Sequence, residues 1–342
     1  MTEPVVDPTP RERGWRSVGG GLALLLLLPA MPPFSVLMPV SETALLLVPA
    51  LAACSLAGWK AGGRLFLAVL WVAFAAWVVA AGASGGQYAL LARGWGVLVA
   101  VAFGAGALIW PERSFLPRAL AAVALALVVG GLTSFAVPGG PAGIRRVVGS
   151  ETMRRAEAFD ADWRERLASK DWAEFRTANA ESAAWFEQTL SEQRTMVRRT
   201  AEQSPALFPA LLALETLAAL GLAWALYHRV GRARIGAPLA SLREFRFNDQ
   251  FIWGLVGGLA LLVVPGLGPV RSLGANLLLF FGALYGLRGA GVALFFLAPG
   301  RLMTVVMVSV SVLFAGAAGV IFVGLGLGDT WLDWRRRERP ST

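Results

Sequence analysis

Ionisable residues stranded inside apolar sequence are where chemistry would reside in this chain. Of its 22 acidic residues only Glu42 and Glu215 fall within long apolar runs, and Arg93 is the clearest basic residue well inside one. An ionised group at mid-bilayer costs ~2.5 to 3.5 kcal/mol on insertion scales, so each should face the protein interior with a partner. With the N-terminus on the cytoplasmic side, a rise of ~1.5 Å per residue puts Glu42 ~9 to 12 Å, Arg93 ~8 Å, Glu215 ~15 Å and Asn276 ~6 to 9 Å below the outer ends of their runs. All four then belong to the outer half of the membrane. They are expected either to line one polar cavity open to the outside, with Arg93 paired to Glu42 or Glu215 and the Asn276 amide offered to a solute, or to form structural pairs.

Other constellations are weaker. Gly82-Ala83-Ser84-Gly85 matches the short nucleophile motif of intramembrane serine proteases, but such a serine needs a base within hydrogen-bond reach. The sole histidine, His228, closes an apolar run at the opposite face, so the motif reads as a glycine-rich turn. With Cys54 the only cysteine, neither a disulfide nor a Cys/His metal site can be built within one chain. There is no G-x-x-x-x-G-K-[ST] loop to bind a nucleotide. An enzyme is not expected, nor a cofactor or a metal.

The elements that must position these residues follow from composition. The chain has 342 residues, 56% hydrophobic and 15% charged, with mean hydropathy +0.61, whereas soluble domains carry about 25% charged residues. Apolar runs of roughly the ~20 residues that cross a bilayer recur throughout, and in lipid every backbone polar group must be satisfied within the segment, so they read as helices. The expected fold is an all-α, polytopic transmembrane bundle of nine helices: 18–31, 36–57, 65–81, 88–110, 116–136, 205–227, 251–264, 272–298 and 302–325. The first resembles a signal peptide but lacks a small-residue cleavage site before Pro32 and Pro33, and it is expected to be retained.

Lys and Arg in short loops stay on the cytoplasmic side. Arg11, Arg13 and Arg16, then Lys60 and Arg64, then Arg113 and Arg118, then Arg229, Arg232, Arg234, Arg243 and Arg246 fall on one side of this count, while the loops at 31–35 and 82–87 carry no charge. The net charge of +9 is thus a loop pattern and not a nucleic-acid surface. The C-terminal end fits less well: Arg335, Arg336, Arg337 and Arg339 fall outside unless 272–298 is split at Gly286-Leu287-Arg288-Gly289.

Four regions are expected: a five-helix membrane bundle at 1–137, an extracytoplasmic amphipathic segment at 138–204, further membrane helices at 205–327 and a basic tail at 328–342. The amphipathic segment has eleven basic and eleven acidic residues, and Trp163, Leu167, Trp172, Phe175, Phe186, Leu190 and Val197 recur at helical spacing. Asp171 with Glu174 reads as a capping pair, and Ser204-Pro205 as the cap and first turn of the next span. Its apolar stripe needs cover: the segment folding on itself, the membrane surface, or another protein.

In the last third, residues 273–289, led by Asn276 and closing on Tyr285-Gly286-Leu287-Arg288-Gly289, and the ending Gly328-Asp329-Thr330-Trp331-Leu332-Asp333-Trp334-Arg335-Arg336 resemble motifs of the YybS-like family of bacterial predicted membrane proteins. Phe245-Arg246-Phe247-Asn248-Asp249 adds to the likeness, which makes Asn276, Gly289, Asp329, Asp333 and Arg335 its motif residues. Trp334 stands where many members have phenylalanine. The family brings no activity with it, but its helix organisation is similar to the solute-binding membrane components of energy-coupling-factor transporters and to envelope proteins of the rod-shape system. The resemblance implies a bacterial inner membrane. Two functions are expected from these readings: a solute-binding or permease-like component whose energy comes from elsewhere, or an envelope scaffold recruiting partner proteins through 138–204.

Overall fold

A computed structural model of the chain describes residues 15–28, 31–32, 34–81, 86–231, 234–267 and 270–337. Arg11, Arg13, Arg232, Arg339 and the Gly82–Gly85 turn with Ser84 lie outside the described residues. Among those described, the regular elements are helices and short 3-10 turns: α1 (Trp15–Leu27), α2 (Phe34–Leu37), α3 (Val40–Lys60), α4 (Leu65–Ala81), α5 (Gln87–Ile109), α6 (Phe115–Ser134), α7 (Gly140–Leu167), α8 (Lys170–Ala178), α9 (Ala180–Val230), α10 (Ile252–Val263), α11 (Arg271–Leu297), α12 (Arg301–Leu313), α13 (Ala315–Leu332) and α14 (Trp334–Arg337).

Five of these, α3, α5, α6, α9 and α11, are long and apolar enough to cross a bilayer, and α12 with α13 would make a sixth if the pair, bent by 110°, were one broken span. The expected nine also took in α4 and the Asp249–Val263 stretch, which are apolar but shorter, and 18–31, where α1 has only 13 residues. The expected 272–298 helix is continuous as α11, without the alternative split at Gly286–Gly289. Three boundaries differ from expectation. The expected 302–325 helix is interrupted at Phe314. Ser204-Pro205 does not open a helix, because α9 runs unbroken through both residues. The cap between α7 and α9 is Ser169, whose hydroxyl accepts from the Trp172 N–H at 3.2 Å, not Asp171.

Proline inside α9 explains how that helix survives. Pro205 has no N–H to give the Ala201 carbonyl one turn back. The Ser204 hydroxyl donates to that carbonyl at 3.0 Å and the Thr152 hydroxyl of α7 at 3.3 Å, so the orphaned acceptor is satisfied from two sides.

The chain divides into two compact units. The larger comprises Glu12–Phe208 and Glu215–Pro238. At its centre α3 packs between α4 and α5, burying Leu51, Cys54 and Ala57. Pro49 leaves the Leu45 carbonyl without its helical donor, and α5 approaches there through Gly96, where an added Cβ would lie 2.6 Å from that oxygen. At one end of the unit Arg118, only 2% exposed, donates to the carbonyls of Trp110, Pro111 and Arg113 and lies 4.8 Å from the Trp224 ring. It therefore clamps the α5–α6 turn instead of marking a solvated loop.

In the same unit α7 folds back on α9 through α8, so the amphipathic stripe covers itself. Trp163 and Trp172 both meet Phe186, at 5.7 and 5.1 Å between ring centres, and Leu190 and Val197 are buried. Val36 of α2 is buried with Ala156, Val197 and Ala201 at the base of this hairpin.

The smaller unit contains Pro209–Leu214 and Leu239–Thr342. Here α11 is the backbone of the packing, with α10 along one part of it and α13 along another.

Candidate functional site

Four helices of the larger unit bring polar side chains to one place. Glu42 and Thr43 stand in the first turn of α3, Tyr88 at the start of α5, Arg155 midway along α7 and Glu215 within α9. The Tyr88 hydroxyl donates to one Glu42 oxygen at 2.9 Å, and Arg155 forms an ion pair with the other. Thr43, next in sequence, donates its hydroxyl to Glu215 at 3.1 Å; both residues are buried. One turn-step away the Trp95 indole N–H donates to the Thr216 hydroxyl at 2.9 Å. Adjacent α3 residues thus handle the two carboxyl groups separately, one by a guanidinium and a phenol, the other by a hydroxyl.

Arg155 is more than a counter-charge. Its Nε donates to Glu151 at 2.8 Å, a terminal nitrogen donates to the Val36 carbonyl at 3.2 Å, and the guanidinium lies 4.9 Å from the Tyr88 ring centre. The base of the α7–α9 hairpin is therefore fastened to the polar cluster by the same side chain that neutralises Glu42. Along α7, hydrogen bonds from Arg154 first and then Arg155 hold the Glu151 carboxyl below its ordinary range. The hydrogen bond from Arg194 of α9, with further help from Arg164, does the same for Asp160.

Of the residues singled out from sequence, Glu42 and Glu215 meet in this cluster. Arg93 lies farther along α5 and is half-buried. Asn276 belongs to the smaller unit, where its side-chain oxygen accepts from the Ala210 N–H at 2.9 Å and its amide nitrogen donates to the Ser272 carbonyl at 2.6 Å. That amide fastens α11 to α9. Sequence reasoning missed Arg155 and Tyr88. No sequence signal set Arg155 apart, because its i, i+4 pair with Glu151 is one of several such pairs in the polar segment.

A second constellation gathers the motif residues of the last third. Asp329 is 0% exposed and takes ion pairs from Arg288 at 2.9 Å and from Arg335 at 2.6 Å, each of these arginines being 3% exposed. Arg288 also reaches Asp249 at 2.6 Å, and Arg335 donates to the carbonyls of Arg243 and Phe245 at 2.8 and 3.2 Å. Two guanidiniums and two carboxylates balance, and every arm has an acceptor, which buried ions require. Asp249 precedes the N-terminus of α10 and both arginines gather at the last turn of α13, ends whose dipoles favour those charges, whereas Asp329 in that last turn is held against the dipole by the two guanidiniums. Gly289 makes the approach possible: a Cβ there would run into the Phe322 carbonyl of α13, just as one at Gly326 would meet that of Tyr285. Asp333 completes the group through Arg246 at 2.7 Å.

Residues 166–330, just under half of the chain, match the model of a family described as predicted membrane protein (DUF2232). The match takes in the last part of the hairpin and stops short of Asp333 and Arg335. Searches of curated proteins and of solved structures give no match. With its apolar helices, the match marks the chain as a membrane protein.

Proposed function

We propose that the chain is a non-enzymatic solute-binding or permease-like membrane component, working without a nucleotide site of its own, with its polar site at Glu42, Glu215, Tyr88, Thr43 and Arg155. The carrying observation is that the two acidic residues of the apolar runs, far apart in sequence, converge with donors from three other positions. Ionisable groups at membrane depth are expensive and mark solute or ion pathways by default. Arg93, on the same α5 as Tyr88, is included as a further wall of that site. The likeness to the YybS-like family, and through it to solute-binding transport components of the bacterial inner membrane, points the same way.

A ligand that binds only the folded state stabilises it by RT ln(1 + [L]/Kd). Purified protein should therefore melt higher with one member of a broad metabolite panel, and Glu215→Gln should lose that shift while melting normally alone. A panel that shifts neither protein sinks the reading.

A scaffold role has its own support. The α7–α9 hairpin leaves Trp185 68% and Met196 56% exposed beyond its self-covered stripe. If these recruit an envelope protein, Trp185→Ala should remove co-purifying partners and leave any metabolite shift intact.

A further inference from the structure

The smaller unit carries an inference about where the chain stops crossing the membrane. α11, with 27 residues, is ~40 Å long. α10 lies along its first part, since Gly258 faces Gly274 and Asp249, just before α10, reaches Arg288. α13 lies along its second part in the opposite direction, since Gly326 faces Tyr285 and Gly289 faces Phe322. By that register α13 begins near the end of α11 and stops well short of Arg271. The chain then reverses at Asp333, whose φ of 43° is left-handed, and Arg335 returns to bind Asp329 and the carbonyls of Arg243 and Phe245.

We infer that α11 is the last full crossing, that α13 is a re-entrant helix entering from the face where α11 ends, and that the C-terminal tail leaves on that same face. Arg335 cannot hold the backbone of the 243–245 loop from the opposite side of a bilayer. The half-length partners fit too: irregular backbone at membrane depth is tolerated where protein buries it, and the α10 start and α13 end meet at a saturated ion network on α11. The charge pattern also becomes consistent. Arg335, Arg336 and Arg337 join Arg243 and Arg246 on one side, the cytoplasmic one by the positive-inside rule, with no need to split α11.

The test is labelling by a membrane-impermeant maleimide in full-length protein carrying Cys54→Ala. A cysteine appended after Thr342 should label only after cells are permeabilised, as Lys60→Cys should, whereas Trp185→Cys should label in intact cells. Independently, Arg246→Cys with Asp333→Cys, which replaces the two partners of a 2.7 Å ion pair, should be joined by a short bismaleimide. A tail cysteine that labels in intact cells to the extent of Trp185→Cys, or a double variant that cannot be joined when both cysteines are reactive, overturns the assignment.

Discussion

Arg155, in the helix that folds outside the apolar runs, is ion-paired with Glu42 in the first turn of α3. The pair is mostly buried, with side-chain exposures of 13% and 14%, so removing one partner strands the other. Arg155→Ala should cost about 3 kcal/mol, the lower end for breaking a buried pair. Combining Arg155→Leu with Glu42→Gln should recover much of the loss. A double-mutant cycle of melting in detergent checks this, and additive losses would show that the two residues are not coupled.

Asp329 presents the same physics more sharply, because two buried guanidiniums share its carboxylate and Arg288 alone has a second one, at Asp249. Asp329→Asn should cost about 3 to 5 kcal/mol. It should also free the tail: trypsin should cut after Arg335 or Arg336 in the variant under conditions that spare the parent. Equal cleavage would mean that the network does not hold the tail.

Close helix approach gives a third expectation. Gly96→Ala places a Cβ against the Leu45 carbonyl, with backbone on both sides of the clash and no flexible side chain to yield. About 1 to 3 kcal/mol should be lost, the range for overpacking. Gly94→Ala, on the same helix with open space around it, should be neutral or slightly stabilising, since alanine is the better helix former. Comparable loss at both positions would refute the contact.

The hairpin should be acid-labile in a defined window. Glu151 and Asp160 have folded-state pKa values held below their ordinary 4.5 and 3.8 by arginine hydrogen bonds. For a depressed carboxylate the stabilisation is fully present above the unfolded pKa and is lost as pH falls through the folded one. Amide exchange in α7 and the first half of α9, corrected for its intrinsic pH dependence, should therefore show constant protection from pH 7 to about 5 and weakening below about 4.5. Asp160→Asn should reduce the acid-dependent part. Protection that falls already between pH 7 and 6 would point to another group.

The fold was legible where periodicity and hydropathy act alone. The apolar runs of α3, α5, α6 and α11 are visible because lipid leaves the backbone no alternative to helix. What composition concealed was context. Ser204-Pro205 has the chemistry of a helix start, but the Ser204 hydroxyl turns back to the carbonyl that Pro205 leaves without a donor, and Thr152, distant in sequence, joins it there. Arg118 reads as a loop cation because sequence cannot show three carbonyls turning toward it. For the site, Glu42 and Glu215 were findable as charges out of place. Arg155 was not, because it is one arginine among many in a segment where charge is ordinary.

One consequence follows from the 51 residues of α9. At ~1.5 Å per residue it is a single rod of ~75 Å. The hydroxyls of Ser204 and Thr152 brace it where a proline would otherwise weaken it. The hairpin that carries Trp185 and the membrane stretch that carries Glu215 are therefore two parts of one continuous helix, although Pro209 removes a second backbone N–H between them. A load on the hairpin tip has an unbroken helical path to the depth of that carboxyl group.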